Sequence, residues 1–249
     1  MKILKWLAVT VLFVGVSGLL FFTWFVLSQR YKETSEPTAA ESVPESIMSL
    51  PVQDIRPGGN TVIARLLDAT LIDGFPCAAG EVRFTGLGQL YECVIAWDAV
   101  IQGNLIPKNT RIKHEMGNIW SYFFPMDTNI QDISCVGGKS GSVDIPAGFY
   151  SSGRLRGCYT PSNVTIQEVP CRKGKPGFLA STPLRIPTPI VLHENGNLMV
   201  CTLSRDAEID GQSISAGSQI AMSQDGQVTI QDDSWQRRTG LWVAEIFGY

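Results

Sequence analysis

One short pattern recurs five times between residues 88 and 231, and it limits the fold more than any other feature of the chain. Each copy has a glycine, a polar residue, an aliphatic residue and, three positions further on, a marked site. The copies are Gly88-Gln89-Leu90 with Cys93, Gly117-Asn118-Ile119 with Tyr122, Gly153-Arg154-Leu155 with Cys158, Gly196-Asn197-Leu198 with Cys201, and Gly226-Gln227-Val228 with Gln231. In the first four, Asp98, Asp127, Asn163 and Asp206 follow the marked site by five residues, and Ile101, Ile130, Ile166 and Ile209 come three later. Eight residues after the Asp or Asn stands a second marked site: Ile106, Cys135, Cys171 and Ile214. A partial leading copy contains Asp68, Leu71, Cys77 and Gly80. A fixed period of this size means stacked supersecondary units. The glycine steps are 29, 36, 43 and 30 residues, and the two longer ones carry inserts around Lys139–Ala147 and Lys175–Pro189.

Alternating apolar positions such as Val82 and Phe84, or Ile220 and Met222, predict two short strands per unit. Glycine after a polar residue, as in Asn195-Gly196 and Asp225-Gly226, is hairpin-turn chemistry, because these residues tolerate positive φ. No comparably long helical pattern appears after residue 60. The expectation is an all-β domain over 61–231, made of tandem antiparallel hairpins in an extended twisted sheet.

The six cysteines divide by the same repeat. Cys93, Cys158 and Cys201 hold the site after the glycine, and Cys77, Cys135 and Cys171 hold the site that ends the preceding unit. Units without one cysteine lack the other too: Ile106 goes with Tyr122, and Ile214 with Gln231. Joint presence and absence is what bonded partners show. It selects Cys77–Cys93, Cys135–Cys158 and Cys171–Cys201 from fifteen possible pairings, as cross-strand neighbours within one hairpin. Such bridges persist only in oxidising compartments.

Residues 6–29 form an uncharged apolar run between Lys2 and Lys5 on one side and Arg30 and Lys32 on the other. As a helix it is long enough to cross a bilayer core of about 30 Å. It ends in bulky residues rather than a small-residue cleavage site, which favours an uncleaved signal-anchor over a secretory leader. The slight basic excess at the amino terminus places the rest of the chain outside the cytoplasm. Residues 1–30 are thus expected to hold one N-terminal transmembrane helix in a bacterial inner membrane, followed by a periplasmic domain. Phe21, Phe22, Trp24 and Phe25 are candidates for contact with another membrane subunit. Residues 31–60, rich in Glu, Ser, Thr and Pro, read as a flexible linker. Residues 232–249 form an aromatic cap or docking tail, in which Trp235, Trp242, Phe247 and Tyr249 are candidate partner contacts.

After residue 30 there are 17 basic against 23 acidic residues, a net charge of −6. That balance argues against nucleic acid as a partner and against an anionic lipid surface. With two His, no Ser-centred elbow, no paired carboxylates and no phosphate loop, nothing points to catalysis, a metal or a cofactor. The recurring Asp98, Asp127 and Asp206 supply too few oxygens for a calcium ladder and read as turn-bonding residues, which Asn163 in the fourth copy matches. His114 and His193 read as surface residues close to turns.

The turn glycines Gly88, Gly117, Gly153, Gly196 and Gly226, each preceded by apolar residues, resemble those of MORN-type bacterial hairpin repeats. That resemblance implies side-by-side two-strand units, and such repeats serve mostly as scaffolds or binding surfaces. Together these features point to a non-enzymatic, single-pass accessory subunit whose partners are integral membrane proteins, held in the bilayer through residues 6–29. The alternative is a tethered binder of a glycan or envelope polymer, with Trp97, Trp120, Tyr122 and Tyr159 as an exposed aromatic stripe.

Overall fold

The computed structural model describes residues 43–115, 119–174 and 189–231. The predicted transmembrane run and the aromatic tail lie outside these residues. Among the described residues no helix is long and apolar enough to cross a membrane.

The first described residue is Val43, inside the stretch whose composition reads as linker. A single helical turn, α1 (Glu45–Met48), buries Ile47 completely, and strand β1 (Val52–Pro57) pairs with β2 (Thr61–Leu66). Composition averaged over thirty residues hides the sparse apolar set Ile47, Leu50, Val52 and Ile55, all of which pack on the core. β1 is an edge strand interrupted at Asp54 and ended by Pro57, features that discourage further pairing.

From β2 on, long and short hairpins alternate. The short pair β3 (Thr70–Ile72) and β4 (Phe75–Cys77) precedes the long pair β5 (Gly80–Thr85) and β6 (Leu90–Val94). Then come β7 (Ala99–Ile101) with β8 (Asn104–Ile106), followed by β9 (Arg111–Glu115) with β10 (Ile119–Phe123). The third short pair is β11 (Thr128–Ile130) and β12 (Ile133–Cys135); the first insert adds a small hairpin, β13 (Lys139–Ser140) and β14 (Val143–Asp144), before β15 (Ala147–Phe149) and β16 (Leu155–Cys158). Next are β17 (Val164–Ile166) with β18 (Val169–Cys171), and β19 (Ile190–Leu192) with β20 (Leu198–Thr202). The series closes with β21 (Ala207–Ile209), β22 (Gln212–Ile214), β23 (Gln219–Met222) and β24 (Val228–Gln231).

The fold is all-β, as expected, but each unit has four strands rather than two. The long hairpins join β1 and β2 in one antiparallel sheet of twelve strands, each bonded to the next long strand in the chain. The short hairpins stand apart as separate two-stranded pairs. Their inward residues, including Ile72, Phe75, Ile101, Ile106, Ile130 and Ile214, form one core cluster with Val82, Phe84, Leu90, Ile112, Leu155, Leu198 and Ile220 of the large sheet. Apolar burial between the two layers, at about 25 cal/mol per Å², is the main force holding them together.

Two turn types serve the two hairpin classes. In four long hairpins Gly88, Gly153, Gly196 and Gly226 have φ between +81° and +89°, and each glycine N–H donates to the carbonyl three residues earlier. Gly117 lies outside the described residues. The short hairpins turn in two residues, both at positive φ: Asp73-Gly74, Gln102-Gly103, Gln131-Asp132, Gln167-Glu168 and Asp210-Gly211. Such turns match the right-handed twist of the strands they join. The Asp-Gly and Gln-Gly pairs behind an isoleucine are the sequence signal for the second hairpin of each unit.

Candidate functional site

The disulfides are Cys77–Cys93, Cys135–Cys158 and Cys171–Cys201, the pairing chosen from the repeat, with Cα atoms 5.6–5.7 Å apart. Their setting differs from the expectation. They are not cross-strand neighbours within one hairpin. Each joins the second strand of a short hairpin (β4, β12 or β18) to the second strand of the next long hairpin in the large sheet (β6, β16 or β20). All six cysteines are at most 2% exposed. The bridges are therefore staples between the two layers, and they fit an oxidising, extracytoplasmic location.

Two further features accompany every staple. The long strand carries a bulge after its aliphatic residue: Arg83 pairs with Glu92 and Phe84 with Leu90, leaving Tyr91 extra, and Arg156 and Met199 are extra in the same way. The aliphatic residue is also fixed by the short-hairpin turn before it. Leu90 N–H donates to Asp73 Oδ2 at 2.9 Å, Leu155 N–H to Gln131 Oε1 at 3.2 Å, and Leu198 N–H to Gln167 Oε1 at 2.9 Å. In the unit containing β9 and β10, Gln102 instead donates to Ser151 O at 3.0 Å. In β24 the register places Ile230 opposite Ile220 and pairs Gln231 with Gln219. Gln231 is thus not the positional equivalent of the cysteines.

The recurring acids are structural, as the sequence indicates. Asp98, Asp127, Asn163 and Asp206 each accept, through Oδ1, the backbone N–H ten residues on, at Lys108, Gly137, Lys173 and Ala216, over 2.7–3.0 Å. Each bond ties together the two ends of a short hairpin. Among the described residues no group of three or more His, Cys, Asp or Glu could hold a metal ion. His114 and His193 are half-buried rather than on the surface. His114 lies against Trp120 with ring centroids 4.9 Å apart, and His193 Nε2 is 2.8 Å from Met222 O.

The face of the large sheet turned away from the short hairpins changes character across its width. A registered row runs Arg83, Glu92, Lys113, Ser121, Gly148, Gly157, Val191, Val200, Ala221. Its first part is ionic. Arg111 reaches Glu92 at 2.9 Å and Asp144 at 2.8 Å, Arg83 reaches Glu92 at 3.6 Å, and Lys113 reaches Glu115 at 3.0 Å. Desolvation pulls the Lys113 ammonium down, but the hydrogen bond and charge of Glu115, with Tyr91, outweigh it and leave it raised. Partly exposed pairs like these contribute about 0–1 kcal/mol each and chiefly favour one register. The later part of the row is buried and apolar: Val191 and Val200 cluster with Val136, Ile145 and Tyr159. Between the two regions Ser121 is fully buried, and its Oγ has no hydrogen-bond partner.

The expected aromatic stripe does not form. Tyr122 and Tyr159 are buried in different clusters, and Trp120 is half-buried against Phe75, ring centroids 4.7 Å apart. Only Trp97 is exposed, because it lies in a loop and not on a core-facing strand position. Phe21, Phe22, Trp24, Phe25, Trp235, Trp242, Phe247 and Tyr249 lie outside the described residues. The second insert, except Pro189, lies there too.

What remains as a candidate site is surface. Among the described residues ten large apolar side chains are exposed, and eight of them fall between Met48 and Leu105. Comparison with protein-family models, curated proteins and solved structures finds no match, so no relative lends this chain a site residue.

Proposed function

We propose that this chain is a non-catalytic, single-pass accessory subunit, anchored through residues 6–29, whose extracytoplasmic β domain binds other subunits of a membrane protein complex. The observation that carries this reading is the set of three buried interlayer disulfides, which only an oxidising compartment would maintain. The apolar run before the domain supports an anchor rather than secretion. The recurrent Asp, Gln and His side chains are used in backbone and core contacts, which supports a scaffold in place of a reaction centre. The test is purification of the full chain in mild detergent followed by intact-complex mass spectrometry. The expected result is a stoichiometric integral membrane partner; a clean monomer overturns the proposal.

A further inference from the structure

The five short hairpins offer a built-in comparison, because each has one central cross-strand pair whose first residue is exposed, while Pro76 and Pro170 opposite are buried. The pairs are Leu71 with Pro76, Val100 with Leu105, Asn129 with Ser134, Thr165 with Pro170 and Glu208 with Ser213. Only the first two hairpins hold large apolar side chains in the open: Leu71 is 66% exposed, Val100 73% and Leu105 64%. Trp97, 48% exposed, stands where these hairpins meet, since the adjacent Ala96 N–H donates to Pro76 O at 2.7 Å. Isolated exposed apolar residues need no explanation, whereas large apolar side chains open on the strands of two neighbouring short hairpins out of five mark a contact surface. The position of Trp97 is also apolar and exposed in the third unit, at Met126.

The first of these hairpins lies close to the start of the described residues. A Cβ on Gly88 would stand 2.5 Å from Ser46 Oγ and 2.8 Å from Pro44 Cβ, so the start of the domain packs on the β5–β6 turn. Asp73 of the first short hairpin bonds to Leu90, two residues past that glycine. Thirteen residues, 30–42, separate this point from the apolar run 6–29. They span about 20 Å as a coil and about 45 Å fully extended.

Charge narrows the choice of occupant. In the two segments that carry the apolar strip, 67–77 and 96–108, the charged residues are Asp68, Asp73, Asp98 and Lys108. A second copy would bring acid against acid, and an anionic lipid surface would be repelled in the same way. We infer that the strip of Leu71, Trp97, Val100 and Leu105 grips a membrane partner through an apolar segment flanked by Lys or Arg, displayed just outside the bilayer. This deepens the accessory-subunit reading and rests on it.

The test uses the full-length chain in its native membrane, with a benzophenone amino acid at Val100 or at the equivalent outward position, Glu208. The expected adduct is one integral membrane protein, formed from position 100 and not from 208. Adducts with a second copy or with lipid, or equal labelling from both positions, overturn the inference. Val100→Glu combined with Leu105→Glu should lower the partner's yield in mild-detergent purification by about tenfold or more, the scale of lost hot-spot contacts. Both sites are exposed, so the variant's thermal midpoint should match the parent's. If the double variant keeps its partner, the strip is refuted while the accessory reading stands. If the parent itself co-purifies with nothing, the accessory reading has failed first.

Discussion

The cysteine-bearing units and the β9–β10 unit count alike in sequence and differ in geometry. In each, the marked site stands five residues after a glycine. In β20, Leu198 and Cys201 are three apart yet both buried against the short hairpins, because the bulge leaves Met199 without a partner of its own. In β10 the pairing with β9 is unbroken, and the core-facing Trp120 and Tyr122 are two apart. Glu115 pairs with Ile119, so Gly117 is the second of three connecting residues, whereas Gly196 is the last of the three between His193 and Asn197. The glycine one place earlier and the strand one residue shorter cancel, and both routes count five. The same task, fixing a short hairpin to the sheet, is done covalently in three units. In the fourth it is done by Tyr122, packed 4.3 Å from the Phe149 ring and fully buried with Ile106 in the same core.

The largest effect should come from removing the covalent solution. The bridges close loops of 16, 23 and 30 residues, each stabilising the fold by about 3–4 kcal/mol on a chain-entropy estimate. Together they rival the about 5–15 kcal/mol total stability of an ordinary domain. Urea unfolding with and without reductant should show the reduced chain unfolded at 37 °C. Retention of most of its stability would mean that burial alone holds the layers together. In the apolar unit the matching cut is Tyr122→Ala, expected to cost about 3–5 kcal/mol.

Single-residue deletions should separate the two geometries. Removing Ser121 from β10 turns Tyr122 out of the core and should cost about as much as Tyr122→Ala, by the one-residue slip that exchanges sheet faces. Removing Met199 from β20 erases only the bulge: Leu198 and Cys201 then stand two apart and keep their face. That deletion should cost about 1 kcal/mol, within the range of ordinary substitutions, and leave the Cys171–Cys201 bridge intact on non-reducing peptide mapping. Equal losses from the two deletions would break the distinction.

Why the sequence disclosed the staples and not their setting follows from this geometry. Presence and absence of cysteine at paired sites is independent of how strands are arranged, so the pairing could be read without knowing that two layers were being joined. The bulge is different: Gly-x-Leu-x-x-Cys violates the two-residue strand period, and a list of residues does not say whether a turn or a strand absorbs the odd position. The short hairpins were signalled by Ile72-Asp73-Gly74-Phe75 and Ile209-Asp210-Gly211, but Gln131-Asp132 and Gln167-Glu168 carry no glycine and break that signature. The exposed strip could not be read, because Leu71 and Ile72 are both apolar and only the register decides which one faces water.

Those glycine-free turns give a smaller test. Asp132 and Glu168 sit at φ +67° and +68°, where a side chain is strained and glycine is not. Asp132→Gly and Glu168→Gly should each raise stability by about 1 kcal/mol, and Gly103→Ala and Gly211→Ala should lower it by a similar amount. Chemical-denaturation midpoints decide the sign. Loss of stability in both glycine variants would show that these turns are held by side-chain contacts that outweigh the backbone strain.

The last effect appears only in alkali, and Tyr122 of the β9–β10 unit leads it. Burial pushes the Tyr122 hydroxyl well above its ordinary value of 10.0, because a phenolate would have to ionise inside the core. The folded state therefore keeps this proton at a pH where the unfolded chain has lost it. The associated stability is fully present below about pH 10 and declines as pH rises beyond it, by at most about 1.4 kcal/mol per unit. A disulfide has no such proton, so the staples add nothing to this slope. Tyr122→Phe should flatten the fall in stability measured by urea titration between about pH 10 and 12, leaving a residue from Tyr150, whose hydroxyl burial also raises. Parallel curves for the two proteins would place the alkaline weakness outside the β9–β10 unit and undo the equivalence between ring and staple.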